Sequence, residues 1–122
     1  MAQRKLLQGR MMSDSLAGLQ QQLRVFSRER DGEQYHTPRN LAALIASEAG
    51  ELLALFRWDQ DSLADRPAEV SQELADVFLG VLRFADVAGI DLVCAAEDKL
   101  RLNAERYPAG PNADPDVIQH AR

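Results

Sequence analysis

The chain has 122 residues, a formal charge of −5, and 46% hydrophobic against 27% charged side chains, a balance that fits one soluble globular domain with a modest core. No apolar run approaches the roughly 20 residues that a membrane helix needs, and the acidic balance lacks the broad basic surface that carries non-specific nucleic-acid binding, so neither membrane nor nucleic acid is an expected partner. The lone Cys94 cannot close an internal disulfide and suits a reducing, cytoplasmic setting. The first twelve residues carry Arg4, Lys5 and Arg10 without the apolar stretch of a secretory signal.

Along the chain the apolar rhythm is helical, without alternating β-branched strands or Asn-Gly hairpin signals. Four helices and an all-α bundle are predicted. The first spans Ser13 to Asp31, with Leu16, Leu19, Leu23 and Phe26 on one side and Asp31-Gly32 as its stop. Thr37 caps the second, Pro38 takes the first helical position where its missing N–H costs nothing, and the helix continues to Phe56. The third runs from Pro67 to Gly89. Asp91 caps the fourth, which passes through Leu92, Leu100 and Asn103 until Pro108 ends it. The domain is therefore expected over 13–108, with flexible termini at 1–12 and 109–122.

Two pairs of carboxylates stand out against this background. Glu48 and Glu51 lie three residues apart in helix two, and Glu73 and Asp76 repeat that spacing in helix three. On a helix, such residues project from one side about one turn apart, so two facing pairs would form an oxygen cage for a hard divalent cation such as Mg2+. Glu48 falls within the core-facing series Leu41, Ile45, Glu48, Leu52, Leu55, where an unpaired carboxylate is costly. Spacing alone leaves metal ligation level with a buried ion pair to an arginine such as Arg83, or with a water-filled groove. On helix three, Glu73, Asp76, Gly80 and Arg83 read by themselves as a solvated face opposite Leu74, Val77, Phe78, Val81 and Leu82. Leu79, Phe84 and Val87 flank that strip, leaving the helix apolar around most of its circumference. A homodimer, or a dimer of dimers, with helices two and three near the contact is the expected way to cover it.

Helix four adds Lys99, Asn103 and Arg106, which share one face, with Tyr107 just beyond. Phosphate oxygens suit that set, although cations near a helix C-terminus also complement its dipole. There is no Gly-rich phosphate loop, paired-cysteine motif or Glu-x-x-His of the di-iron kind, and with only two histidines a redox metal centre is not expected. A metal-dependent enzyme acting on a phosphorylated substrate and a non-catalytic helical oligomer using its acids for subunit ion pairs or regulatory metal binding both remain open.

Taken together, the segments Tyr35 to Leu41, Glu48 to Leu52, Phe56 to Trp58, Glu73 to Val77 and Lys99 to Pro108 closely resemble the MazG-like all-α nucleoside triphosphate pyrophosphohydrolases, and within them the dCTP pyrophosphatase group. The family pattern E-x-x-E, spacer, E-x-x-D is matched in order, with Leu52 to Gln72 as the spacer. The resemblance implies hydrolysis of a nucleoside triphosphate, a pyrimidine such as dCTP or a modified dCTP, to the monophosphate and pyrophosphate in nucleotide-pool housecleaning. It implies Mg2+, with Mn2+ as substitute, on Glu48, Glu51, Glu73 and Asp76, and a polyphosphate grip from Lys99, Asn103, Arg106 and Tyr107. Glu48, deepest in the apolar stripe, is the expected catalytic carboxylate. His36, Trp58 and Phe26 are the expected base-binding residues; the plain structural alternative is a loop histidine bonded to backbone for His36 and a ring in the core for Trp58. Gly32 stands where vertebrate dCTP pyrophosphatases carry a tryptophan, which opens the pocket and weakens the case for dCTP over modified pyrimidines. A dUTP or phosphoribosyl-ATP pyrophosphohydrolase would share the same metal logic.

Overall fold

The Thr37-Pro38 signal is the local feature that decides where the central helix begins. In the computed structural model, which describes residues 15–111, Thr37 is extended and its Oγ1 accepts the Asn40 N–H at 3.2 Å, while Pro38 opens the helix. Five α-helices and a 3-10 turn occupy the described residues, without a strand: α1 Leu16–Glu29, the 3-10 turn Gly32–Tyr35, α2 Pro38–Phe56, α3 Ser62–Asp65, α4 Pro67–Ala88 and α5 Leu92–Arg106. Ser15 caps α1 by accepting the Gly18 N–H, and Asp91 caps α5 by accepting the Cys94 N–H. Gly89 ends α4 at φ +67, the left-handed backbone that glycine adopts without a Cβ penalty. The expected all-α class and the four long helices are present. The flexible termini expected over 1–12 and most of 109–122, and the expected start of the first helix at Ser13, lie outside the described residues.

Three details differ from expectation. Helix α1 stops at Glu29, because Asp31 turns left-handed at φ 51 and the chain tightens into the 3-10 turn. Its inward side is also rotated: Phe26 is 53% exposed, whereas Ser27 is buried. The third difference bears most on function. The solvated-face reading of Glu73, Asp76, Gly80 and Arg83 is overturned, since Gly80 and Arg83 are buried and Glu73 half-buried, while Leu74 is 56% and Phe78 42% exposed. Helix α4 thus turns its polar strip inward.

The chain falls into two compact units, the first ending at Gly89 and the second starting at Ile90. Within the first, α2 packs along α4, with α1 and α3 also against α4. Gly80 makes the α2–α4 crossing close, because a Cβ there would stand 3.2 Å from Ile45 Cγ1. Leu41 and Leu82, 1% and 0% exposed, anchor this core together with Val70 and Ala85; truncating either leucine to alanine should cost about 2–5 kcal/mol. The α2–α3 connection is closed by polar bonds: Ser62 Oγ lies between the Leu55 and Asp59 carbonyls, and Arg66 Nη2 donates to the Leu55 carbonyl at 2.9 Å. These bonds fix the spacer between the two acidic motifs.

Candidate metal and nucleotide site

The close crossing at Gly80 brings the acidic pairs of α2 and α4 together. Glu48 lies one turn after Ile45, and Asp76 one turn before Gly80, so each carboxylate projects next to the point where the helices approach. Glu48, Glu73 and Asp76 each offer an oxygen, all within 4.8 Å of one another. Glu48 and Glu73 are half-buried, Asp76 exposed, so the cluster opens to solvent on one side.

Among the described residues no cation pairs with this cluster, and Oε2 of Glu48 and Oε2 of Glu73 are buried without a hydrogen-bond partner. Burial first, and then the repulsion of Glu51 and Asp76, pushes the Glu48 carboxyl above the usual carboxylate range. For Glu73 burial again leads, followed by hydrogen bonding to and repulsion from Glu51, with Asp76 adding to it. A buried polar atom left without a partner calls for a specific explanation, and convergent hard oxygens are the donor set of Mg2+ or Mn2+. The residues fit a divalent cation. Arg83 does not neutralise them: its guanidinium engages Asp86 at 3.3 Å and His36 at 2.9 Å.

The expected nucleotide residues fare unevenly. His36 is half-buried just beyond the 3-10 turn, and its Nδ1 accepts from Arg83 Nε, so the backbone-bonded loop histidine is replaced by a side-chain pair. Burial, then the Arg83 charge, lowers its pKa. Trp58, at 92% exposure, is not a core residue. Phe26 is exposed with one face taken by Arg30, whose guanidinium carbon sits 3.7 Å from the ring centroid. Lys99, Asn103 and Arg106 lie in α5, in the second unit, where Arg106 stacks over Tyr107 at 5.5 Å.

Sequence reasoning missed Arg24 and Asp86, which hold Arg83 in place. Arg24 grips Asp86 with two bonds of 3.0 and 2.7 Å, and its side chain is raised in pKa by that bond as Asp86 is lowered. The spacing of Arg83 and Asp86 at i, i+3 was the available signal. Nothing local in the sequence pointed to Arg24, a contact that spans 62 positions.

No sequence-family model matches the chain. A solved pyrophosphatase from Archaeoglobus fulgidus is 38% identical, covers 75% of this chain and 90% of its own, and superposes with a TM-score of 0.71. The chain belongs to the MazG-like nucleoside triphosphate pyrophosphohydrolase family. The human protein dCTP pyrophosphatase 1 is 39% identical over 92 residues, 69% of this chain and 54% of that protein, and the rat protein is 39% identical over 90 residues, 68% and 53%. The chain spans about half the length of these curated relatives.

Proposed function

We propose that the chain is a metal-dependent nucleoside triphosphate pyrophosphohydrolase acting on a pyrimidine nucleotide, dCTP or a modified dCTP, within nucleotide-pool housecleaning. The observation that carries this reading is the meeting of Glu48, Glu73 and Asp76 within 4.8 Å, with two buried oxygens lacking partners, in a member of this family. Glu48, Glu51, Glu73 and Asp76 would hold Mg2+, or Mn2+ in its place, which neutralises triphosphate charge and polarises water and phosphoryl oxygens. In the reaction a water oxygen bonds to the α-phosphorus and the bridge to the β-phosphate breaks, leaving monophosphate and pyrophosphate. Glu48, set within the apolar stripe of α2, takes the proton of that water. The names of the human and rat relatives favour dCTP, and the family resemblance assigns the polyphosphate to Lys99, Asn103, Arg106 and Tyr107. Trp58 offers the base a flat ring, His36 a polar edge; Phe26, already stacked by Arg30, contributes less.

The same reading includes a homodimer or homotetramer, since large apolar side chains stand exposed on α2 and α4, Leu44 and Leu53 on the first and Leu74 and Phe78 on the second. It includes a cytoplasmic location and excludes membrane and nucleic acid as partners; among the described residues no helix is long and apolar enough to cross a membrane. The test is pyrophosphate release from a panel of canonical and modified nucleoside triphosphates with Mg2+, with Mn2+ and with EDTA. Metal-dependent release with the monophosphate as co-product is the expected result. Release from none of them in either metal would leave the cluster as a subunit ion-pairing or regulatory metal site.

A further inference from the structure

His36 is held by a chain of charged groups that reaches across three segments of the first unit. Arg83 Nε donates to His36 Nδ1 at 2.9 Å. Its Nη1 lies 3.3 Å from Asp86 Oδ2, with side-chain exposures of only 9% and 17%, and Asp86 is itself gripped by Arg24 from α1. A guanidinium keeps its protons at any pH the protein meets and offers no acceptor. Its Nε–H can therefore only donate, and the ring nitrogen facing it must be the unprotonated one. The tautomer of a histidine is set by the bond its other nitrogen makes. The ring proton of His36 thus belongs on Nε2.

Gly32 lies beside the other edge of the ring: a Cβ built there would stand 3.5 Å from His36 Cε1 and 3.6 Å from Nε2, an ordinary van der Waals contact, and the histidine is half-buried.

We propose that Arg83 is a positioning residue of the nucleotide site, which fixes His36 as the neutral Nε2–H tautomer and so makes it a hydrogen-bond donor to an acceptor on the base, a pyrimidine carbonyl oxygen or an unprotonated ring nitrogen. The assignment rests on His36 meeting the base, as in the function proposed above. Arg83 touches no ligand; it selects which polarity His36 presents. Glu33, on the neighbouring turn, pulls His36 toward protonation, and the Asp86-anchored guanidinium opposes it.

The experiment is a long-range proton–nitrogen NMR correlation of the His36 ring in the uniformly labelled full chain, read at neutral pH. The wild type is expected to show the Nε2–H pattern, and a non-hydrolysable α,β-imido pyrimidine triphosphate with Mg2+ to shift Nε2 while inorganic triphosphate leaves it in place. Arg83→Gln, whose amide can still donate, should keep the fixed tautomer; Arg83→Met should free the ring to turn and to exchange tautomers and raise KM about tenfold, with kcat changed less than about threefold. A wild-type ring protonated on Nδ1 or on both nitrogens, an Nε2 signal indifferent to the analogue, or an Arg83→Met variant that loses kcat at constant KM would each overturn the proposal. The wild-type spectra decide it even if Arg83→Met does not fold. Absence of hydrolysis from every nucleotide would sink the pyrophosphohydrolase reading separately, with the tautomer and the analogue titration still read directly.

Discussion

Helix α4 carries two charged clusters about two turns apart, and they are built on opposite plans. Toward its N-terminal half, Glu73 and Asp76 meet Glu48 of α2, with Glu51 acting on Glu48 and Glu73 as a neighbouring acid, charges of one sign with two buried oxygens left without partners among the described residues. Toward its C-terminal end, Arg83 and Asp86 meet Arg24 and His36, and the charges there are paired and hydrogen-bonded across 2.7 to 3.3 Å. The second cluster is satisfied within the chain and fixes geometry; the first leaves two buried oxygens without partners among the described residues, the feature on which the proposed metal site draws.

The sharpest way to break the comparison is to neutralise one member of each cluster. Glu48→Gln or Asp76→Asn should lower pyrophosphate release by at least about a hundredfold, because a direct oxygen donor is lost where even outer partners matter tenfold or more. Neither should reduce the melting temperature of the metal-free protein. Equal turnover per folded molecule, with lower stability, would make the acidic cluster a structural device. The next effect tests the helix crossing that assembles it: Gly80→Val pushes side-chain atoms into Ile45, whose Cγ1 already stands 3.2 Å from a Cβ at that position. Overpacking of this kind costs about 1–3 kcal/mol by denaturant unfolding, and activity should fall beyond the loss of folded protein because the carboxylates on either side of the crossing move apart.

How much of this was legible in the sequence follows the range of the interactions. Thr37, Asp91 and Gly89 act within one turn, and the helix ends they set are where sequence reasoning puts them. The i, i+3 carboxylate pairs are equally local, and so is the Leu41 to Leu55 stripe that carries Glu48 inward. The inward face of α4 was misjudged for a physical reason: its apolar residues are spread around the helix, so hydropathy alone had no preferred side, and the decision fell to Gly80, the residue whose lack of a side chain lets α2 approach. Arg24 and Asp86 lay beyond reach altogether, since their bond joins elements 62 positions apart. Trp58, expected as a base-binding ring with a core role as its alternative, stands at 92% exposure, which removes the alternative.

For the paired cluster, Asp86→Asn weakens two partners together, removing the charge that Arg24 grips and that Arg83 leans on. Leaving the buried Arg83 guanidinium with poorer acceptors should cost about 1–3 kcal/mol, measured by urea unfolding, while the metal affinity of the acidic cluster stays unchanged in calorimetric Mg2+ titration. A drop in both would mean that the two ends of α4 act as one network.

The smallest effect is in the pH dependence of stability, where the clusters carry opposite signs. In EDTA, burial and neighbouring acids hold Glu48 and Glu73 above their ordinary value of 4.5. A carboxyl raised in this way binds more protons folded than unfolded, so it favours the folded state at low pH and that contribution is lost as pH rises through the window above 4.5. Asp86, lowered by Arg24 from an ordinary 3.8, works the other way: its contribution is full above that value and disappears as pH falls below it. Thermal melts should therefore show that a Glu48→Gln, Glu73→Gln double variant flattens the decline on the alkaline side, and that Asp86→Asn flattens the decline on the acid side. Mg2+ reverses the first sign, because protons and cation compete for the same oxygens. Its stabilising shift should be larger near pH 8 than near pH 5, and a shift independent of pH would remove the cation from Glu48 and Glu73.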